Sequence, residues 1–258
     1  MINVYVVGAG IVGVSCALNL LEKGFKVTLI EKEDKVKETS FGNAGVIARS
    51  SAYLINNKNL LPSLRKYIFN KHPAVRIKHS YLFKNFSWSS HFLYQSLEKN
   101  SEKNINSLDS IIKVSLDEHK KWLRKSGNMH RLRENGWLKL FHSENGVKST
   151  GYEQSIYQQY GIDFELLTAK KINLLEPALK PIYKSGVHIK DAASVDHPGE
   201  VTQDYIDLFI ELGGQVIRDD IKRLSKQNAK ITLHGQSSYI ADEVVIAAGP
   251  WSNDLLKT

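Results

Sequence analysis

Three glycines and one acidic residue near the N-terminus have the types and spacing needed to hold a dinucleotide. Gly8, Gly10 and Gly13 form a G-x-G-x-x-G pattern, and Glu31 lies eighteen residues beyond the last of them. In such a pattern the first glycine allows a tight turn, the second leaves room for a pyrophosphate, and the third lets a helix pack closely. An acid at about 20 residues further on binds the ribose hydroxyls. The four residues therefore predict that an adenine dinucleotide binds here.

The elements that must position these residues can also be predicted. Residues 2–7 form a mostly apolar, β-branched run typical of a strand buried on both faces. A helix should follow, stop near Gly24, and give way to a second strand over residues 26–30 that ends at Glu31. Its apolar side chains recur at helical spacing, at Ile11, Val14, Ala17, Leu18 and Leu21. Because strand, helix, strand and acid are in register, a chance glycine turn is the weaker alternative.

Length and composition indicate a soluble globular protein of one or two domains. The chain has 258 residues, of which 42% are hydrophobic and 24% are charged. No apolar run approaches the roughly 20 residues that span a bilayer, and a strand begins at the N-terminus, so we expect a cytoplasmic location. Cys16 is the single cysteine, which we interpret as a packing residue.

Neither the net charge nor the spacing of the histidines indicates a function. A net charge of +8 could indicate a nucleic-acid partner, but no recognised nucleic-acid motif accompanies the lysines, so we expect none and interpret the charge as a solvated surface. The histidines show no paired metal-ligand spacing, at positions 72, 79, 91, 119, 130, 142, 188, 197 and 234. We therefore predict no metal site.

Two further segments suit a cofactor. The loop over residues 39–47 is rich in residues that tolerate a tight backbone and offer amides to a ligand. Residues 243–252 form an apolar strand that runs into a glycine turn and a new helix. Small residues in that turn keep side chains away from a cofactor, while Trp251 either contacts it or fills the core.

The βαβ unit followed by Ser40-x-x-Asn43-Ala44-Gly45, together with the strand-Ala-x-Gly-x-Trp-Ser segment that ends at Ser252, resembles the FAD-dependent amine and D-amino-acid oxidoreductase (DAO) family. The resemblance is strongest to its D-amino-acid dehydrogenase branch. It implies FAD as the cofactor and an α/β fold, with a doubly wound, Rossmann-like FAD-binding domain interleaved with an α+β substrate domain. We expect residues 1–50 and 191–258 to form the first and residues 51–190 the second.

The resemblance also implies a set of cofactor contacts, but it does not single out a catalytic residue. Arg49 follows the loop near the expected flavin and could bind a substrate carboxylate, the alternative being a solvated side chain. The FAD contacts carried over from the family are Val7, Gly8, Gly10, Ile11, Val12, Gly13, Glu31, Lys32, Ser40, Asn43, Ala44, Gly45, Val46, Ile221, Ala248, Gly249 and Trp251.

The middle of the chain changes character. Apolar residues at helical intervals predict a largely helical stretch over residues 55–130, whose apolar faces would come from Leu64, Tyr67, Ile68 and residues 86–97. Within it, residues 60–77 predict either a helix and turn or a basic, aromatic surface for peripheral membrane contact. The later segments predict strands at residues 136–142, 186–190 and 215–217 and helices at residues 168–175, with Thr168 as N-cap, and 201–212.

If the resemblance holds, the reaction is oxidation of a D-amino acid, with hydride transfer to flavin N5 and hydrolysis to a 2-oxo acid and ammonia. The substrate would be a small-molecule amino acid and the acceptor a respiratory quinone or oxygen. Glycine, sarcosine or proline-type substrates, an NAD-linked dehydrogenase and an inactive dinucleotide-binding remnant remain alternatives. Two departures affect the substrate. Family members continue past Thr258 with a carboxylate-binding arginine, and Ala48-Arg49-Ser50-Ser51 replaces their Ser-Pro-Gly-Tyr.

Overall fold

The computed structural model describes residues 1–34, 37–71 and 75–256. It divides into two compact units. The first contains Met1–Val46, Asp117–Arg133 and the described residues from Ser194 onward, and the second contains Ile47–Leu116 and Glu134–Ala193. The segment of residues 60–77 singled out above includes three residues, 72–74, that lie outside the described residues.

The described residues include a run of five α-helices in the middle of the chain and a run of five strands before the last helix. The strands are β1 (Asn3–Val7), β2 (Lys26–Glu31), β3 (Val46–Ala48), β4 (Leu132–Arg133), β5 (Trp137–Phe141), β6 (Phe164–Thr168), β7 (Ser185–Ile189), β8 (Ala192–Val195), β9 (Gln215–Arg218), β10 (Arg223–Gln227), β11 (Lys230–His234), β12 (Ser238–Ala241) and β13 (Glu243–Ile246). The helices are α1 (Ile11–Glu22), α2 (Leu60–Ile68), α3 (His79–Lys84), α4 (Phe86–Gln95), α5 (Glu98–Ile112), α6 (Ser115–Lys125), α7 (Gly151–Gln159), α8 (Ala169–Leu175), α9 (Pro198–Glu211) and α10 (Ser252–Leu255).

The first unit is built on a parallel sheet with the strand order β13-β1-β2-β9. Val7 at the end of β1 pairs with Ile30 of β2 on one side and with Ile246 of β13 on the other. The chain therefore adds β2 and β9 on one side of β1 and returns with β13 on the opposite side. In open α/β sheets a ligand crevice forms outside the carboxyl ends of the strands at such a reversal.

Both faces of this sheet are covered, which explains why the interior positions of β1 and β2 are mostly apolar. On one face Val6 and Leu29 pack in a cluster that includes Leu18 of α1 and Phe209 of α9. On the other face the cluster contains Val7, Ile30, Ile221, Leu233 and Leu255. Burial on both faces is the normal environment of parallel strands.

The segment Asp117–Arg133 belongs to the first unit, whereas the sequence analysis assigned it to the substrate domain. Trp122 and Leu123 of α6 are fully buried in the cluster formed by α1 and α9. A helical period shows that a helix has an apolar face but does not show which core receives that face. The helical period of these residues therefore does not decide which of the two units they join.

The second unit contains the antiparallel sheet β5-β7-β6, with Tyr157 of α7 and Val187 of β7 in its core. Most of the elements predicted here are confirmed, and the side chain of Thr168 caps α8 by accepting a hydrogen bond from the backbone nitrogen of Lys171 at 3.5 Å. The apolar faces predicted for the helical stretch are not buried, because α2, α3 and α4 contain no buried residue. Across the described ranges, no helix is long and apolar enough to cross a membrane.

Candidate functional site

A cleft with a volume of about 740 Å³ lies at the carboxyl edge of the parallel sheet, within the first unit. Small-molecule and cofactor sites typically occupy about 300 to 1,000 Å³. Its walls come from the ends of β1, β2, β9 and β13, from the start of α1 and from the loop at residues 39–40. The predicted contacts that line it are Val7, Gly8, Gly10, Ile11, Val12, Glu31, Lys32, Ser40, Ile221, Ala248, Gly249 and Trp251.

In the turn between β1 and α1, Gly8 and Gly13 lie so close to neighbouring backbone that a side chain at either position would clash, as the sequence predicts. Gly8 has a φ of 102°, and a Cβ there would lie 2.5 Å from the carbonyl oxygen of Ala247. A Cβ at Gly13 would lie 1.8 Å from the carbonyl oxygen of Gly8. Gly8 therefore permits the turn, while Gly13 brings α1 against it, and Gly13 itself does not line the cleft.

The first turn of α1 faces the cleft with its backbone amides. The backbone nitrogen of Ile11 donates a hydrogen bond to Oγ of Ser40 at 3.0 Å. A hydroxyl that accepts one hydrogen bond retains its own proton to donate. Helix N-termini attract anions through their free amides and the helix dipole, so this corner suits a phosphate.

Glu31 is held in place by three backbone amides at the end of β2. Its Oε2 accepts from Ala9 at 2.7 Å, and its Oε1 accepts from Lys32 at 2.8 Å and from Glu33 at 3.3 Å. A carboxylate has about four acceptor positions in all, so one position is left in this arrangement for a hydroxyl donor. The geometry suits an acid that fixes a ribose.

The opposite wall comes from the turn after β13. Trp251 is 45% exposed, so the alternative that it fills the core is wrong. Its ring lies 4.7 Å from Nζ of Lys32, a cation–π distance. Ala248 and Gly249 present only small side chains or none to the cleft beside it. The flat ring and the small residues suit a planar ligand.

The sequence analysis missed Asp219, a buried carboxylate in the cleft wall between β9 and β10. It accepts from the backbone nitrogens of Gln236 at 2.8 Å and Ser237 at 3.1 Å and from the hydroxyl of Tyr239 at 2.9 Å. Burial opposes its ionisation, but these hydrogen bonds outweigh burial and hold the pKa of Asp219 below its ordinary value. The signal was its position directly after a parallel strand of the same sheet.

The loop residues Asn43, Ala44, Gly45 and Val46 do not line this cleft. The side-chain amide of Asn43 donates to the carbonyl oxygen of Thr39 at 3.0 Å, and its Oδ1 accepts from the backbone nitrogen of Gly45 at 2.8 Å. These bonds shape the loop that presents Ser40 to the cleft. After Ser40, no residue of this loop lines the cleft.

Arg49 lies in the second unit, where its guanidinium contacts several residues of that unit. It donates to the carbonyl oxygens of Tyr160 at 2.5 Å and Gly161 at 3.3 Å. Its guanidinium also pairs with Asp109 at 3.4 Å and with Asp191 at 3.6 Å. These contacts indicate a structural role for Arg49.

Among the described residues there is no group of three or more His, Cys, Asp or Glu that could hold a metal ion.

Four features of the cleft suit a dinucleotide: the glycine turn, the helix N-terminus, the acidic side chain and the planar wall. Comparison with known families gives one match, to the FAD dependent oxidoreductase family, over residues 3–258. The chain belongs to this family. The α/β fold class and FAD as the family's cofactor are thereby confirmed, and a nicotinamide cofactor is no longer an alternative.

Two curated relatives of this chain are named for reactions of D-amino acids. A D-amino-acid oxidase of Bradyrhizobium diazoefficiens is 27% identical over 98% of this chain and 61% of its own length. A D-amino acid dehydrogenase of Neisseria meningitidis serogroup C is 25% identical over 98% of this chain and 62% of its own. The chain thus spans about three fifths of the curated relatives it matches.

Solved structures share the fold. A glycine oxidase from Geobacillus kaustophilus superposes with a TM-score of 0.68 at 15% identity, over 99% of this chain and 58% of that protein. An L-proline dehydrogenase from P. horikoshii superposes with a TM-score of 0.65 at 18% identity, over 99% of this chain and 55% of that protein. At these identities the likeness concerns the fold alone.

Proposed function

We propose that the cleft of the first unit binds FAD, with its adenosine held by Glu31 and its pyrophosphate at the start of α1. The observation that carries this proposal is Glu31 itself, because three backbone amides orient its carboxylate at the carboxyl edge of the sheet. In this proposal Ser40 donates its hydroxyl proton to a phosphate oxygen, and Trp251 covers a planar part of the cofactor. The remaining contacts proposed above, in the loop from Asn43 to Val46, act by shaping that loop.

We further propose that the enzyme to which this chain belongs oxidises a D-amino acid to the 2-oxo acid and ammonia. The names of the two curated relatives support this substrate class. When bound, FAD supplies at N5 an acceptor for the hydride from the substrate Cα, and water hydrolyses the resulting imino acid. Glycine and proline-type substrates are the second candidates, supported by the names of the structural neighbours.

The role of this chain's own residues in that reaction is orientation. The amides at the start of α1 neutralise the pyrophosphate charge, and the fixed carboxylate of Glu31 sets the position of the ribose. A cofactor held at these two points is restrained along its length. We assign no proton-transfer step to a residue of this chain.

We propose a respiratory quinone as the electron acceptor, with oxygen as the second candidate. A quinone dissolves in the bilayer, so this choice implies contact with a membrane, and we propose that the enzyme works in the cytoplasm in peripheral contact with the inner face of the plasma membrane. The name of the Neisseria relative, a dehydrogenase, supports an acceptor other than oxygen.

An absorbance spectrum of the purified chain after addition of FAD and desalting tests the cofactor proposal. Retained flavin absorbance that is lost in a Glu31→Gln variant is the expected result. Anaerobic D-alanine, glycine and proline are then added separately to the retained complex. Bleaching by D-alanine supports the proposed substrate class, bleaching by glycine or proline alone moves the assignment to the second candidates, and no retained flavin overturns FAD binding by this chain.

A further inference from the structure

The net positive charge of the chain arises in one segment that lacks acidic residues. Residues 39–97 contain no Asp or Glu but include eight of the 35 Lys and Arg residues. The remaining 27 Lys and Arg are matched by the 27 Asp and Glu of the chain, so this segment accounts for the whole net charge of +8. Lys and Arg occur in this segment at about the same density as in the whole chain, so its net charge arises from the absence of acids.

Most of these cations are exposed and are not neutralised. Two of the eight are paired, Arg49 with Asp109 and Lys58 with Glu98. The other six form no ion pair with any residue that the structure describes, and each of them is exposed: Arg65, Lys66, Lys71, Arg76, Lys78 and Lys84. A charge cluster of one sign without internal partners favours an external anionic partner.

Large aromatic side chains accompany the cations on the same helices and turns. Phe83 is 82% exposed and Phe86 is 72% exposed. Between residues 65 and 97, the exposed Phe, Tyr and Trp side chains of the described residues are Phe69, Tyr81, Phe83, Phe86, Trp88 and Tyr94. These six rings and the six cations are called the aromatic-basic surface here. Exposed rings in such number mark an interaction site rather than ordinary surface composition.

Local contacts tie the helices of this surface together. Asn70, directly after α2, adopts a φ of 53° and exchanges two hydrogen bonds with the backbone of Ile77, at 2.6 Å and 3.1 Å. A ring nitrogen of His79 at the start of α3 lies 2.8 Å from the carbonyl oxygen of Ile68 at the end of α2. The ring of Trp88 stacks on Phe92 within α4 at 5.2 Å. The rings and cations are therefore presented on connected elements.

We propose that the aromatic-basic surface docks on an anionic phospholipid bilayer. Lys and Arg side chains are attracted to anionic headgroups, and Trp, Tyr and Phe side chains enter the boundary between headgroups and acyl chains. A nucleic acid would use the cations and could stack on a few rings, but the bare hydrocarbon of Phe83 and Phe86 requires an apolar environment. The absence of acids from residues 39–97 fits a partner whose own charge is negative throughout.

This inference names a surface for the membrane contact proposed above and depends on neither the cofactor nor the substrate. The test is co-flotation of the chain, without added FAD, with phosphatidylcholine vesicles that contain or lack phosphatidylglycerol. We expect binding to the anionic vesicles that weakens as added salt screens the charges. The Arg65→Gln/Lys66→Gln/Lys84→Gln variant should lose affinity about tenfold or more. The Phe83→Ser/Phe86→Ser/Trp88→Ser variant should lose a similar amount, and exposed positions tolerate such changes.

Matched variants separate this surface from general charge and hydrophobicity. Lys23→Gln/Lys26→Gln/Lys226→Gln removes three exposed cations from the first unit, and Leu174→Ser/Ile240→Ser removes exposed apolar side chains elsewhere. Both should bind anionic vesicles as the parent chain does. The proposal is overturned if the parent chain does not float with anionic vesicles, or if these variants lose as much binding as the surface variants. It is also overturned if a DNA duplex displaces the vesicles and binds the serine variant undiminished.

Discussion

Oε2 of Glu31 lies 2.7 Å from the backbone nitrogen of Ala9, so the end of the second strand is bonded directly to the glycine turn that follows the first. A Glu31→Gln change places an NH₂ group where one of the carboxylate oxygens accepts a hydrogen bond from a backbone amide. We expect the affinity for ADP, which carries only the adenosine half of the cofactor, to fall about 10- to 100-fold, because hydrogen bonds to a charged acceptor are lost. Isothermal titration with ADP measures this.

The matched control for that variant is Asp242→Asn. Asp242 also accepts a backbone amide, from Asn3 at 2.8 Å, but it lies at the amino end of β1, on the edge of the sheet away from the cleft. Its change should leave ADP affinity within twofold of the parent value. Equal losses in both variants would mean that Glu31 acts only through the stability of the sheet.

A second prediction concerns Asp219, whose carboxylate anchors the loop between β11 and β12 beside the cleft. Asp219→Asn removes the negative charge and one of the two acceptor oxygens of the side chain. Tyr239→Phe removes only the hydroxyl that donates to Asp219 at 2.9 Å. We expect ADP affinity to fall in both, by more in Asp219→Asn, while thermal unfolding of Tyr239→Phe shifts by the equivalent of about 1 kcal/mol. Unchanged ADP affinity in Asp219→Asn would contradict a role in positioning this wall.

The pKa of Asp219 is lowered in the folded state, which gives this variant a pH signature. A carboxyl with a depressed folded pKa stabilises the fold above its unfolded pKa of about 3.9 and loses that contribution as the pH falls towards the folded pKa. The parent chain should therefore lose stability below about pH 4 more steeply than Asp219→Asn. Urea midpoints at a series of acidic pH values compare the two.

A third prediction tests the packing of α1 against the glycine turn. A Cβ at Gly13 would lie 1.8 Å from the carbonyl oxygen of Gly8, so Gly13→Ala must push the helix away from the strand. We expect a loss of about 3 kcal/mol in the free energy of unfolding, together with weaker ADP binding. Gly42→Ala is the control, because a Cβ at Gly42 meets no atom within 4 Å. An unfolding free energy of Gly13→Ala equal to that of the control would contradict the packing.

The site and the fold differ in how much of them the sequence can predict. The βαβ unit from Asn3 to Glu31 was predictable because its strand, turn, helix and acid depend on neighbouring residues. The position of Asp219 after a strand was a signal, but its contacts were not predictable, since its partners lie between Gln236 and Tyr239 and are brought to it by the later hairpin. The sequence likewise predicts that Trp122 lies on the apolar face of a helix, but it does not predict the core into which that face packs.

A fourth prediction separates two roles for Arg49. Its contacts with Asp109, Tyr160 and Gly161 predict that Arg49→Met leaves a largely buried carboxylate without its partner and lowers the free energy of unfolding by about 2 to 3 kcal/mol. Arg65→Met, at an exposed position of the same unit, should change stability little. Chemical denaturation measures both. Unchanged stability in Arg49→Met, with a raised KM for an amino acid, would instead support binding of a substrate carboxylate.

The last prediction concerns His119, which lies half-buried against Tyr205 with its Nδ1 2.9 Å from the tyrosine hydroxyl. Burial lowers the pKa of His119 below its ordinary value, so the folded protein resists protonating it while the unfolded chain accepts the proton near pH 6.5. Because the unfolded state then binds more protons, stability should be complete above about pH 6.5 and fall by up to about 1.4 kcal/mol per pH unit below it. His119→Gln should remove this slope, whereas His91→Gln, at an exposed position, should retain it. Urea unfolding between pH 7.5 and pH 5 checks this, and an identical slope in His119→Gln and the parent chain would contradict it.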